Sequence, residues 1–597
     1  MRKIINAKDD IVRESLEGFI SAHERYYVKH PKVNGIQYRY KRKDKVALVI
    51  GGGSGHEPMF AGFVGRGLAD AATCGNIFAS PDPRNIYETA KAADSGKGVL
   101  FVYGCYAGDN LNFDMAEEML NRDGIPTAHV RVQDDVASAP PEKHENRRGI
   151  AGDVFVVKTA GAACDAGLSL EEAARVTAKA NAHTYTIGVA TSSAQLPGVD
   201  EPIFTLGEDE IEFGMGLHGE KGIKRVPFAP MDELIDTMYA EIKKDAGFAA
   251  GEEVCVLVNG LGATTITEMS IGYRRLRQLL TEDGIRVHDA DIAHYCTSQE
   301  MGGFSITLFR LDDELKKYYD MPCHSPYFTR EDPAGAGLSA CAASAAEEAD
   351  YSALSEDADT AAAADKEDAP AEAEGQQDAA PRKMIRDLLD AADTKAMLLY
   401  VADQIIGAEP LLTRLDSEIG DGDHGIGMRT GMKNAEEALR KDRNTENAFE
   451  FFENAGQTML MSMGGASGVI FGSLFRAGAE KQEAKTIGAE DLAGLFERSL
   501  EAIKERGKAE VGDKTMVDAL EPAVRAMKEN AAQGLKVMLQ AAEEAAHAGA
   551  EATKDLVANF GRAKNLGERA LGHEDAGAVS TWLIFRAMRD FVNENAE

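Results

Sequence analysis

The chain has 597 residues, 44% of them hydrophobic, with a formal net charge of −34 and a pI near 4.9. That balance excludes a nucleic-acid backbone as the main partner, because phosphate chains are held by basic surfaces. No run of about 18 apolar residues appears, so no membrane span is expected. The start, MRKIINAKDDIVRESLEGF, lacks the apolar core of a signal peptide, and a cytoplasmic protein is expected. The seven cysteines are scattered and never spaced CxxC, which fits reduced thiols rather than a disulfide frame or a zinc site.

In chain order, the first part alternates short apolar runs with helical stretches. KVALVI (45–50), GVLFVYG (98–104), DVFVVKT (153–159), YTIGVAT (185–191) and EVCVLVNGLG (253–262) read as strands. MAEEMLNR (115–122), SLEEAARVTAKANA (169–182) and MDELIDTMYAEIKKDA (231–246) read as helices. Strands alternating with helices predict an α/β half over residues 1–330, long enough for two subdomains with a boundary near 185.

Residues 331–382 carry few large apolar side chains, and the segment 331–380 holds 14 Asp or Glu against the single base Lys366. Such a composition buries too little surface to offset its ordering entropy, so a flexible acidic, Ala-rich linker is expected. Residues 383–597 then show helical periodicity nearly throughout. TKAMLLYVADQIIGAEPLLTRLD, AFEFFENAGQTMLMSM, DLAGLFERSLEAIKERGKAE and VSTWLIFRAMRDFV each read as a long helix, and an all-α domain is expected.

Two loops stand out. GGGSGHEP (51–58) follows the run KVALVI and fits neither the P-loop nor the GxGxxG spacing. It reads as a ligand loop at the end of a strand, with a tight structural turn as the alternative. YAGDNLNFD (106–114) and FGMGLHGE (213–220) add Asp109 and His218 in glycine-flanked settings. The second loop, LDSEIGDGDHGIGM (415–428), crowds Asp416, Asp421 and Asp423 among glycines, in a stretch too glycine-rich for a stable helix. Three carboxylates repel unless a cation sits among them, and oxygen ligands suit a hard cation. The EF-hand spacing fails, since Gly425 and Met432 occupy the positions that need ligands. Magnesium bridging phosphate oxygens fits better than calcium, and a solvated acidic loop is the bland alternative.

Taken together, these motifs resemble a known family. GGGSGHEP, YAGDNLNF and GLHGE are similar to the substrate-binding subunit of dihydroxyacetone kinases. LDSEIGDGDHGIGM, GGASG (464–468), GDKTMVDAL (512–520) and GRAKNLGERALGHEDAGA (561–578) are similar to the nucleotide-binding subunit. The order of the two parts resembles the single-chain, ATP-dependent members, and the resemblance covers nearly everything except the linker.

The resemblance implies roles. His218 would attack the ketone carbon and hold the substrate as a covalent hemiaminal. His56 would hydrogen-bond and assist acid–base transfer, Asp109 would accept the proton of the attacking hydroxyl, and Gly53 and Ser54 would line the pocket. Asp416, Asp421 and Asp423 would hold Mg2+ bridging the phosphates of ATP. The remaining nucleotide contacts would come from His424, Gly425, Ile426, Gly427, Ala466, Ser467, Gly512, Arg562, Asp575, Ala576 and Gly577. The implied fold of the second half is a helical barrel, and the implied assembly is a homodimer.

Some positions depart from the family pattern. Gly104 and Cys105 stand where a lysine and an asparagine are common, Lys564 and Asn565 where Ser and Tyr are common, and Ala576 where Pro is common. The reaction class survives these changes, while the ketose, dihydroxyacetone or a four-carbon relative such as erythrulose, is left open. The family offers two alternatives: cyclisation of FAD at the same nucleotide site (an FAD-AMP lyase activity), and a non-enzymatic regulatory or phosphocarrier-linked role.

Overall fold

A computed structural model describes residues 3–7, 10–197, 202–220, 222–331, 387–420 and 422–595, without the side chains of Arg562 and Asn565. The chain divides into two compact units, Met1–Thr360 and Ala361–Glu597. The expected linker, apart from Glu331, lies outside the described residues.

The first unit is built on two six-stranded sheets. The first contains β1 (Tyr27–Lys29), β2 (Gly35–Tyr38), β3 (Ala47–Ser54), β4 (Ala71–Ile77), β5 (Val99–Gly104) and β6 (Thr127–Val132), in the order β1-β2-β4-β3-β5-β6. β3 runs parallel to both β4 and β5, and β5 parallel to β6. All eight residues of β3 are buried, which explains its unbroken apolar run: a central parallel strand is covered on both faces. The second sheet contains β7 (Thr184–Ser192), β8 (Glu210–Phe213), β9 (Lys224–Pro227), β10 (Glu253–Gly260), β11 (Arg286–Ala293) and β12 (Gly302–Leu311), in the order β11-β10-β12-β7-β8-β9. There only β10 and β11 pair in parallel, so this half of the α/β unit is mainly antiparallel.

DVFVVKT is not a strand. It opens the helix Asp153–Asp165, in which every residue from Asp153 to Cys164 is buried. A helix buried on all sides shows no polar face, so its sequence cannot be told from a buried strand by periodicity. It shares one core with Leu48, Ile50, Leu100 and Val102 of the first sheet and with Cys255, Leu257 and Phe309 of the second. The outer face of the first sheet packs Val49, Val99 and Phe101 against Ile86, Phe113 and Leu120. The outer face of the second packs Ile187, Val256 and Val258 against Leu234, Met238 and Leu276. Alternation along each strand therefore feeds two cores at once.

The second unit is helical. Its helices are Ala391–Gly407, Glu409–Ile419, His424–Lys441, Phe449–Leu460, Gly465–Arg476, Ala489–Gly507, Val517–Asn530, Leu535–Ala552 and Ala576–Asn595. From His424–Lys441 onward each helix packs on the next, and Ala391–Gly407 packs on both His424–Lys441 and Ala576–Asn595, which closes a ring around one apolar core. The stretch TKAMLLYVADQIIGAEPLLTRLD is two helices rather than one. Pro410 sits in the first turn of the second, where its fixed φ and missing N–H suit a helix start and end the preceding helix. The glycine-rich stretch after it is also more helical than its composition suggests. Asp416 lies in the last turns of Glu409–Ile419, and His424 to Gly427 form the first turn of the next helix. Among the described residues no helix is long and apolar enough to cross a membrane.

Candidate active site

In the first unit, β3 carries Gly53 and Ser54 to the sheet edge and delivers His56 just beyond it. The glycines there are partly structural: a Cβ on Gly52 would lie 2.4 Å from the Phe60 ring. Ser54 Oγ donates to the Gly75 carbonyl at 2.7 Å. His56 stacks on Phe78, with ring centroids 5.0 Å apart.

His218 comes from the loop after β8. Two glycines shape this loop. Gly219 has φ +80°, and a Cβ on Gly216 would lie 2.3 Å from Glu220 Oε2. Glu220 folds back on the loop, accepting from the His218 backbone N–H and holding His218 Nδ1, both at 2.9 Å. Ser298 Oγ donates to the Leu217 carbonyl. Thr297 follows a segment pinned by Asn259, whose Oδ1 accepts from Tyr295 N and Cys296 N at 3.0 and 2.9 Å. The Thr297 carbonyl holds His56 Nδ1 at 2.7 Å.

The two imidazoles meet. His56 Nε2 and His218 Nε2 are 3.1 Å apart, and both side chains are buried. Each Nδ1 faces an acceptor, so each Nδ1 carries a proton. A neutral ring then presents a lone pair at Nε2. Two lone pairs do not face each other at that distance, so a hydrogen bond along the Nε2–Nε2 axis requires one further proton on the pair. This assignment follows from the partners of the rings. The Glu220 carboxylate offsets the added charge.

Asp109 lies in the first turn of the helix Ala107–Arg122 and is buried. Three positions earlier, Tyr106 sets its ring edge-on against His218, with centroids 4.8 Å apart. The arrangement thus brings His56 and His218 into contact and places Asp109 on the element beside them. Sequence reasoning gave no role to Glu220, Tyr106 or Phe78. The first had a readable signal, an acceptor two residues beyond a glycine-flanked histidine; Phe78 had none.

In the second unit three helix N-termini converge, those of His424–Lys441, Gly465–Arg476 and Ala576–Asn595. His424 links them: its Nδ1 meets Ser467 Oγ at 3.1 Å and its Nε2 meets Ser580 Oγ at 2.7 Å. Clustered N–H groups and dipoles at helix starts suit phosphate. The His424 backbone N–H donates to Asp416 Oδ2 at 3.3 Å. Asp575 accepts from Ala578 N at 2.7 Å at the head of the last helix. Gly512 donates to Asp518 Oδ1 at 2.6 Å, and Lys514 Nζ bonds the Thr553 and His573 carbonyls at 2.5 and 2.6 Å. Gly577 approaches that loop, since a Cβ on it would lie 3.5 Å from Met516 Cβ. Ser580, Lys514 and Asp518 were not singled out from sequence. Asp421 and the Arg562 side chain lie outside the described residues.

Electrostatics marks the same spot. Burial, with the Asp416 charge adding to it, pushes the Asp423 and Asp575 carboxyls up to about 7. Carboxylates gathered at helix N-termini fit a divalent cation with phosphate oxygens, because the cation offsets this cost and the N–H groups take the anion.

Paired imidazoles in an α/β unit and a carboxylate cluster at helix starts in a helical ring define a two-part phosphotransferase. Comparison with known proteins gives the family. The Dak1 domain matches residues 17–327 and the DAK2 domain residues 418–590. The L-erythrulose kinase of Pectobacterium atrosepticum is 35% identical over 603 residues, covering 100% of this chain and 97% of the relative. The D-erythrulose kinase of Mycolicibacterium smegmatis is 35% identical over 597 residues, covering 99% of each. The crystal structure of the dihydroxyacetone kinase from C. freundii in complex with AMP-PNP and Mg2+ superposes with a TM-score of 0.52 at 26% identity, covering 99% of each chain. The chain belongs to the dihydroxyacetone kinase family, with a Dak1 and a DAK2 domain fused in one chain.

Proposed function

We propose that this protein is a cytoplasmic ATP-dependent kinase that phosphorylates a terminal hydroxyl of a short ketose, either dihydroxyacetone or a ketotetrose such as erythrulose. The observation that carries the reading is the buried His56–His218 pair, with its two Nε2 atoms 3.1 Å apart. Addition of His218 Nε2 to a ketone carbon forms a C–N bond and moves the carbonyl π electrons to oxygen, which takes up a proton to give the hemiaminal; the ring, bonded at Nε2 and still protonated at Nδ1, is then an imidazolium whose charge the Glu220 carboxylate offsets. The shared proton lies where His56 can deliver it. Glu220 holds His218 Nδ1 so that Nε2 is the nucleophile. Only a carbonyl compound reacts this way, so glycerol, which has no carbonyl, is refused.

Asp109 then accepts the proton of the hydroxyl to be phosphorylated, and Gly53 and Ser54 line the pocket. In the helical unit Asp416, Asp421 and Asp423 would hold Mg2+. His424, Gly425, Ile426, Gly427, Ala466, Ser467, Gly512, Arg562, Asp575, Ala576 and Gly577 would hold the nucleotide. Bound MgATP supplies the phosphoryl group and neutralises its charge during transfer. The two domains span residues 1–330 and 383–597, joined by the linker 331–382, and two chains associate as a homodimer, which light scattering checks.

The test is ADP release with MgATP and a panel of dihydroxyacetone, D-erythrulose, L-erythrulose and glycerol. Turnover of a ketose with none of glycerol is expected. No turnover of any three- or four-carbon ketose would sink the proposal.

A further inference from the structure

Phe78 follows β4 in a backbone conformation that its side chain disfavours, with φ +59°. It takes the third position of a turn that the Ala79 N–H closes on the Asn76 carbonyl at 3.1 Å. A turn with positive φ at that position ordinarily takes Gly or Asn, because a bulky side chain crowds the backbone there. Such strain persists only where the surroundings impose it, and beside a functional site it calls for a reason.

The loop GGGSGHEP imposes it. The Phe78 N–H donates to the Ser54 carbonyl at 2.8 Å. A Cβ on Gly53 would lie 2.9 Å from the Phe78 carbonyl carbon, and one on Gly55 would lie 2.7 Å from Phe78 Cε1. Two glycines of that loop therefore leave room for the backbone and the ring of Phe78. Core filling does not account for the ring. Phe78 is fully buried, yet it belongs to none of the apolar cores that the described residues form.

The ring lies on the two imidazoles instead. It stacks on His56 with centroids 5.0 Å apart and planes inclined by 13°. It meets His218 edge-on, with centroids 5.2 Å apart and planes at 76°. Before substrate arrives, His56 is held in its own plane by the Thr297 carbonyl at Nδ1 and by His218 at Nε2. Addition of His218 Nε2 to a ketone uses the lone pair that faced His56. Of those two bonds, the one to Thr297 then remains. A bond at one ring nitrogen lets the plane swing about it, and the stacked Phe78 face opposes that swing.

We propose that Phe78 is a positioning residue: its ring face holds the His56 imidazole in line, so that a proton passes from His56 Nε2 to the carbonyl oxygen as the C–N bond forms at His218 Nε2. This rests on the ketose kinase reading above and adds the group that aims its acid.

The test uses the full-length protein with MgATP and the ketose it turns over best. kcat/KM for the ketose, KM for MgATP and the thermal transitions by calorimetry are measured in three variants. Phe78→Leu keeps an apolar side chain and the strained backbone but removes the flat face. Phe78→Gly removes the ring and relaxes the backbone. Phe78→Tyr keeps the face. Phe78→Leu and Phe78→Gly are both expected to lower kcat/KM about tenfold or more, because a misaimed acid loses most of its effect. Phe78→Tyr should stay within about threefold of the wild type, and KM for MgATP within about twofold in all three. Equal losses in Leu and Gly, despite their opposite demands on the backbone, separate the ring face from a folding defect. Phe78→Leu as active as the wild type, Phe78→Tyr as impaired as Phe78→Leu, or losses that follow the melting temperature would each overturn the proposal. A wild type inactive on every ketose removes the kinase reading itself, an outcome that no Phe78 variant can produce.

Discussion

The two units hold their functional groups in opposite ways. In the α/β unit each imidazole has a fixed partner on its far nitrogen, the Thr297 carbonyl for His56 and Glu220 for His218. That site is organised by its own hydrogen bonds before any substrate arrives. In the helical unit burial, with the Asp416 charge adding to it, raises the carboxyls of Asp423 and Asp575 to about 7. That site carries a cost which a bound cation would remove. A nucleophile needs its lone pair aimed in advance, whereas a phosphate site can leave the balancing of charge to the metal that arrives with its ligand.

The largest effect that tests this contrast is on the proposed nucleophile. His218→Ala is expected to lower ketose turnover by at least about 10³-fold, as loss of a covalent catalyst does. The helical unit should stay folded. The single tryptophan, Trp582, lies in the last helix and donates to Glu543 Oε1 at 2.7 Å, so its fluorescence reports that unit alone. A shifted Trp582 transition in the variant would break the picture of two separately organised sites.

Next comes Glu220→Gln. The amide removes the charge that steadies the shared proton and no longer fixes the His218 tautomer. A loss of about 10²-fold or more in kcat is expected, by analogy with other histidines whose orienting carboxylate is neutralised. KM should move far less than kcat. An effect confined to KM would mean that Glu220 shapes the pocket rather than the nucleophile.

The third prediction concerns the other unit. An Asp whose folded pKa is raised binds its proton more tightly when folded. Metal-free, the helical unit should therefore lose stability as pH rises from about 4, the unfolded value, through about 7, and change little above. For two such half-buried groups, allowing for solvent screening, the loss is at most on the order of a few kcal/mol. Mg2+ with ATP favours the ionised carboxylates and should flatten or reverse the trend. Thermal melts followed by Trp582 fluorescence between pH 5 and 8, with and without MgATP, check it. A metal-free melting point that rises across that range would reverse the sign and discredit the carboxylate cluster as the cation site.

Much of this was legible in the sequence, for physical reasons. β3 declared itself because a central strand covered on both faces is apolar throughout, and the helices of the second unit declared themselves because each has one buried stripe, while their closure into a ring was implied only by the family resemblance. The helix Asp153–Asp165 did not, because burial on every side erases the period that separates helix from strand. The split at Pro410 was written in one residue, yet the apolar stripe runs across it. At the sites, His56, His218 and Asp109 stood out against glycine. The meeting of the two histidines did not, since the contact joins residues 162 positions apart.

The smallest expected effect compares two histidines directly. His218 has a carboxylate at Nδ1 and an imidazole at Nε2. His424 has a serine hydroxyl at each nitrogen. A hydroxyl donates or accepts equally well, so it does not fix a tautomer, and burial lowers the pKa of His424 and keeps it neutral. His424 therefore ties helix starts together rather than moving a proton. Ser580→Ala removes one of its bonds, which costs about 1 kcal/mol. That should raise KM for MgATP about fivefold and leave kcat for the ketose within about twofold. A fall in kcat with KM unchanged would place His424 in the chemistry instead, and the two units would then rely on the same device.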